Sequence, residues 1–291
     1  MTEQAKTEIK LGNYVLNQPS EKVQRISMLL WGSAGCGKTT LASTAPGKKL
    51  WINFDPDGTV SIANRAKERN DIIVLDLSAE RDTVVEKFKE NNPLNLDAFL
   101  KENEDIETIV VDSLTSFGDK AMSHGVVKAQ GTAKGRGSTL EDPGYAGYGN
   151  KNTWMRLLVK NMLEVTAKHN KHVIFIAHED KPTTNDQGAV LFISIMLGSS
   201  LNEQVPLQIS EVWAMTDTGK ERRIAVRPCR ARKPMKTRMF RANNQTPEFI
   251  WNYDADELTG EGIEQWYASW KANGFAKIEL PTIKEKSDGK K

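Results

Sequence analysis

Short, almost wholly apolar runs alternate with longer amphipathic stretches over the first two thirds of the chain. Residues 26–31, ISMLLW, are apolar at nearly every position and run into a glycine. The same pattern recurs at 50–54, 71–77, 107–112 and 171–177. Runs of this length that are apolar on both faces predict strands buried in the middle of a sheet. Between them, residues 61–70 and 83–100 leave room for crossover helices, and 154–169 carries a helical pattern that leads into the fifth strand. The alternation predicts an α/β fold with a mostly parallel sheet and helices on both faces.

Residues 38–45 suit a short helix that stops before Pro46. Later, 190–197 forms another apolar run, and 212–215 with 224–226 predict a hairpin around the turn DTGK. Residues 128–152, rich in glycine and lysine, read as a mobile surface loop. Trp251, Tyr253, Trp266, Tyr267 and Trp270 suggest a small packed appendage near the end. The pattern divides the chain into an N-terminal arm over 1–21, a core over 22–243, the appendage over 244–281 and a flexible tail over 282–291.

Composition narrows the function classes. Among 291 residues, 40 Lys and Arg stand against 38 Asp and Glu, so any basic partner surface must come from local clustering. The two cysteines, Cys36 and Cys229, are too few for a disulfide framework and fit a reducing compartment. No run approaches the length of a membrane span, and the first residues carry no apolar leader, so a cytoplasmic location and no membrane partner are expected.

The strongest chemical signal is Gly32, Ser33, Ala34, Gly35, Cys36, Gly37, Lys38 and Thr39, followed by Thr40, between a predicted strand and a predicted helix. Glycines let successive backbone N–H groups turn inward around phosphate oxygens. The lysine reaches the terminal phosphates, and the threonine hydroxyl suits Mg²⁺. Cys36 reads as a small filler within this loop. The strand TIVVD ends in Asp112, 74 residues after Lys38, where a carboxylate can hold a magnesium-bound water. A nucleoside triphosphate and Mg²⁺ are therefore the expected ligands.

For the residue that activates water, Asp57 in FDPDG is the first choice and Asp55 the second, with Ser113 and Glu107 behind them; the alternative is an aspartate-rich turn built around Pro56. His178, at the end of the fifth strand, is placed to sense the γ-phosphate. The four histidines do not fall into metal-ligand spacing.

The segments WGSAGCGKTTLA, FDPDG, TIVVDSLTS and VIFIAHED resemble the RecA-like branch of P-loop ATPases, and within it the phage-type ATPases of single-strand annealing and recombination. The resemblance spans roughly residues 22–240. It implies a RecA-like core, ATP held between subunits of a ring or filament, and single-stranded DNA as partner, with a single-strand DNA-binding protein as a further one. A phage-encoded chain would work in the host cytoplasm. The family usually places glutamate where this chain has aspartate. The resemblance also directs attention to residues 220–238, with nine Lys or Arg against one acid, where Lys236 and Arg238 resemble paired basic fingers reaching a neighbour's nucleotide; DNA phosphates or plain solvent are the other readings of that stretch.

Loops facing the axis of such an assembly would be 128–152, with Lys128, Lys134, Arg136 and Lys151 for phosphates and Tyr145 and Tyr148 for bases, and 181–204. Other readings are a helicase, loader or packaging motor, a nucleotide-dependent scaffold with little hydrolysis, and a small-molecule kinase.

Overall fold

The computed structural model describes residues 9–12, 14–16, 24–198 and 200–282. The expected arm therefore lies largely outside the described residues, and so does the expected tail from 283 onward. Within the arm, β1 (Ile9–Leu11) and β2 (Tyr14–Leu16) pair as an antiparallel hairpin.

The core is one eight-stranded sheet. Its strands are β3 (Ser27–Gly32), β4 (Lys48–Asn53), β5 (Ile72–Asp76), β6 (Ile106–Asp112), β7 (His172–His178), β10 (Glu211–Asp217), β11 (Arg222–Ala225) and β12 (Glu248–Trp251). In space they run β12-β11-β10-β3-β7-β6-β4-β5. From β10 to β5 every pairing is parallel, while β11 and β12 extend the sheet antiparallel.

Parallel strands need crossovers and burial on both faces, and the side chains divide accordingly. Leu29 and Trp31 of β3 join Phe175 of β7 in one core layer, while Met28 and Leu30 join Ile174 and Ile176 in the other. The first layer lies under α3 (Leu96–Glu102), α4 (Leu114–Gln130), α5 (Gly144–Lys168) and α6 (Leu201–Gln208). The second lies under α1 (Lys38–Ser43) and α7 (Ile263–Ala272). None of the described helices is long and apolar enough to cross a membrane.

The sheet and its five parallel runs match the sequence reading. Residues 61–70 give α2 (Ala63–Arg69), stopped by Asn70 in the left-handed conformation. Residues 83–100 do not make one helix: a 3₁₀ turn over Asp82–Phe88 and another over Pro93–Asn95 precede α3. Pro93, after two asparagines, accounts for the break. The 190–197 run yields only the short β9 (Val190–Phe192), paired with β8 (Thr183–Thr184).

The largest difference concerns 128–152. Nearly half of it is helical, at the end of α4 and the start of α5, leaving residues 131–143 as the connection. The glycines serve close approach: a side-chain carbon on Gly125 would lie 3.0 Å from the Gly147 carbonyl oxygen, so α4 and α5 meet backbone to backbone.

Toward the C-terminus, β12 lies inside the stretch expected as an appendage and forms the edge of the main sheet. It is followed by β13 (Tyr253–Asp254) and β14 (Thr259–Gly260), a small hairpin, and then by α7. Thr44, just past α1, accepts from the N–H groups of Ile263 (Oγ1, 2.9 Å) and Glu264 (carbonyl, 2.9 Å). Trp266 packs at 5.4–5.9 Å from Phe249, Phe240 and Trp213. Trp266→Ala should cost about 3–5 kcal/mol in urea unfolding, because the ring joins α7 to the sheet.

At the start of β7, buried His172 accepts the Ile26 N–H through Nδ1 at 2.9 Å and packs edge-on against Tyr267. Burial, then the charges of Arg25, Lys171 and Lys271, push its pKa down from 6.5 to about 4. Between those values the unfolded chain takes up a proton that the folded chain refuses. The stability it contributes is complete above pH 6.5 and is lost as pH falls toward 4. His172→Gln should be less stable than wild type at pH 7, and the gap should close by about 3 kcal/mol on descent to pH 4, read by denaturant titration at each pH.

Candidate active site

β3 ends where Gly32 passes the sheet neighbour β10. A Cβ at Gly32 would stand 2.2 Å from the Met215 carbonyl oxygen, so only glycine lets the chain leave the sheet there. Gly35 (φ 76°) and Gly37 (φ 96°) then turn the loop through left-handed conformations into α1. Lys38 is 5% exposed and its ammonium donates to the carbonyls of Gly32 (3.1 Å) and Ser33 (2.7 Å). Cys36 is buried in the core layer under α1, and burial pushes its thiol pKa up, as suits a packing residue.

Three strand ends on one side of β3 bring acids and a histidine to this loop. β6 carries Asp112, whose Oδ2 accepts from Thr39 Oγ1 at 3.2 Å. The chain leaving β4 carries Asp55, and β7 ends at His178, whose Nε2 lies 3.9 Å from Asp55 Oδ2. Asp55 Oδ1 also accepts from Ser113 (3.1 Å) and from Ser116, on the first turn of α4. Asp112, Asp55 and His178 line a cavity of about 450 Å³ with Gly35, Gly37, Lys38, Thr39 and Thr40.

The two carboxylates differ electrically. Burial, reinforced by the Asp55 charge, pushes Asp112 up to about 7. Burial also acts against ionised Asp55, but the neighbouring His178 and hydrogen bonds from Ser116 and Ser113 outweigh it and hold that carboxyl below its ordinary value. Asp57 sits on the exposed rim of the same cavity, in the left-handed conformation (φ 56°). Glu107 lies near the start of β6, at the other end of that strand from Asp112.

His178 also connects the cavity to the segment after β7. Its N–H donates to Thr115 Oγ1 and its carbonyl accepts from Met196. Glu179 N–H donates to the Gly32 carbonyl, and its carboxylate pairs with Arg232 at 3.2 Å. Other arginines of the basic stretch are also matched within the chain: Arg223 with Glu221 and Glu248, Arg230 with Glu248, Arg222 with Asp217.

Lys236 and Arg238 are not brought to the cavity. Lys236 bridges to Val212 and donates to the Leu207 carbonyl, and the Arg238 N–H donates to Glu211. Glu211 and Val212 pair with Met28 and Leu29, at the start of β3 and away from the loop at its end. Two residues that touch the site, one on Asp55 and one in the cavity wall, had no distinct signal in the sequence. Ser116 is one small polar residue among several in SLTS, and Arg222 is one of nine cations in its stretch.

The glycine-turned loop after a central parallel strand, its enclosed lysine, and the Thr39–Asp112 pair define a P-loop nucleotide-binding protein with a sheet order consistent with a RecA-like core. Residues 24–245 match the AAA domain family (AAA_24), and the chain belongs to it; an AAA-family ATPase domain is thus present. Among curated proteins, no sequence matches. Among solved structures it is similar to the RadB recombinase, with 14% identity and a TM-score of 0.43 over 79% of this chain and 88% of that one.

Asp112 also lends itself to a stability test. Its folded pKa is raised, so the folded chain holds a proton that the unfolded chain has lost between pH 3.8 and about 7. Its contribution to stability therefore falls as pH rises through that window, opposite in sign to that of His172. Without nucleotide or magnesium, Asp112→Asn should be more stable than wild type at pH 8 by roughly 1–3 kcal/mol, with most of the gain gone at pH 4.5. Denaturant midpoints at the two pH values give the comparison.

Proposed function

We propose that the protein is a magnesium-dependent ATPase that self-associates and couples its nucleotide state to a grip on single-stranded DNA during annealing or strand exchange. The observation that carries the hydrolytic part is the meeting of Thr39, Asp112, Asp55 and His178 at the mouth of the glycine loop. Loop N–H groups and Lys38 bind the phosphate chain, with Lys38 exchanging its carbonyl partners for phosphate oxygens. Thr39 and Asp112 would hold magnesium, which when bound neutralises charge on the phosphates.

Asp55 takes the role of orienting and deprotonating the attacking water. It is kept ionised by its hydrogen bonds, whereas Asp57 is on the rim. His178 lies beside Asp55 and is bonded through its backbone to Met196, so a change at the phosphates reaches the 179–198 segment directly.

For DNA, the support is a surface around the 131–143 connection. Lys134 and Arg136 are exposed there, Tyr145 is fully exposed and Tyr148 more than half exposed. Cations beside unpaired aromatic faces suit sequence-tolerant single-strand binding. Lys236 and Arg238, remote from their own cavity, act in this reading on a neighbour's nucleotide.

Steady-state ATP hydrolysis with and without excess single-stranded DNA tests the reading. Wild type should be stimulated by DNA, Lys38→Ala should be inactive, and Asp55→Asn should lose about 10²–10⁴ in kcat with nucleotide still bound. Asp57→Asn should cost far less. Turnover indifferent to DNA in a protein that binds none would overturn the DNA part, and full activity in Asp55→Asn would overturn its assignment.

A further inference from the structure

The acids and His178 approach the phosphate loop from β7, β6 and β4, all on one side of β3. On the other side stand β10 and β11, and the first residue of β11 is Arg222. Its side chain crosses the open side of Gly37: a Cβ there would lie 3.4 Å from Arg222 Cδ and 3.5 Å from Nε, with the Trp251 ring at 3.3 Å. The guanidinium arm thus lies in van der Waals reach of the loop at the point where Gly37 turns it.

Arg222 is a wall shared by two cavities. One is the phosphate cavity; the other is a cleft of about 560 Å³ behind it, lined by Asp217, Glu221, Asp254 and Glu257 against only Lys220 and Arg222 as cations. That cleft is acidic and repels phosphate. Arg222 now leans on its acidic side, with Nε donating to Asp217 Oδ2 at 3.3 Å. Both partners are about one third exposed (36% and 33%), so water screens the pair and holds it weakly. A phosphate offers the guanidinium more charge and two parallel acceptors.

Resting on the nucleotide reading above, we propose that Arg222 is a phosphate ligand supplied by the same chain, parked on Asp217 until a nucleotide binds and then transferred to its phosphates. Because it enters from the side away from Asp55, Asp112 and His178, it serves the part of the phosphate chain shared by ATP and ADP. It therefore contributes to binding of both rather than to cleavage. Asp217 competes with the ligand for the guanidinium and limits affinity.

The test is equilibrium binding of magnesium ADP and magnesium ATP, by calorimetry, to the full-length wild type, Arg222→Ala, Arg222→Lys and Asp217→Asn, each checked for native unfolding behaviour. Arg222→Ala should weaken both nucleotides by roughly 10–100-fold, with KM rather than kcat carrying the change in turnover. Arg222→Lys keeps a charge without the planar fork and should recover part of the loss. Asp217→Asn should bind both nucleotides a few-fold more tightly than wild type.

Arg222→Ala binding within about twofold of wild type would overturn the proposal. So would Asp217→Asn losing affinity as Arg222→Ala does, since the pair would then only brace the β10–β11 turn. A wild type that binds ADP but does not hydrolyse ATP would sink the hydrolytic reading alone, because these constants are measured without turnover.

Discussion

The contact on which the site depends is the one between Gly32 and the Met215 carbonyl. Two parallel strands lie so close at their ends that a single carbon would collide with backbone. β3 therefore leaves the sheet while still flanked on both sides, by β10 and β7. The phosphate loop inherits its position from both neighbours: Met215 on one side, and on the other Glu179, whose N–H bonds the Gly32 carbonyl. Moving either strand moves the loop. The buried core layers under α1 and α4 fix those strands, so packing far from the cavity sets where Lys38 can be.

Around that loop the chain stores charge in unfavourable places. Asp112 is 2% exposed and next to a second carboxylate, a setting that favours its protonated form. Asp55 stays ionised only because two hydroxyls and a histidine surround it. A divalent cation between the two carboxylates would favour the ionised form of both. Thus the electrostatics that weaken the folded state without ligand also favour binding.

Sequence patterning reached the sheet, its parallel half, the glycine loop and Asp112, because each is written in consecutive residues: an apolar run, a glycine spacing, a carboxylate at a strand end. What it did not separate depends on neighbours distant in the chain. Asp55 and Asp57 are equivalent as neighbours of Pro56, and only Ser113, Ser116 and His178, from two other strand ends, distinguish them. Glycines in 128–152 look like flexibility in a linear reading. Here Gly147 instead faces α4, where a side-chain carbon on it would press Val126 at 3.4 Å, a relation visible only when α4 and α5 are side by side. β12 was hidden among aromatics that pattern alone groups into a separate unit.

The sheet is chemically two-sided about β3. Its parallel strands deliver carboxylates and a histidine from strand ends that share one direction. Its antiparallel extension delivers a guanidinium from the start of a strand, because reversing direction brings the beginning of β11, rather than its end, to the edge where the loop lies. The last residue of β10, Asp217, stands directly across the ladder from Arg222 as that cation's partner. A phosphate chain on the loop that took up Arg222 would contact both halves, so nucleotide binding would tie the parallel core to the antiparallel edge through charge. The backbone ladder already joins them through β10, and the ligand adds a second connection whose strength changes with its occupancy.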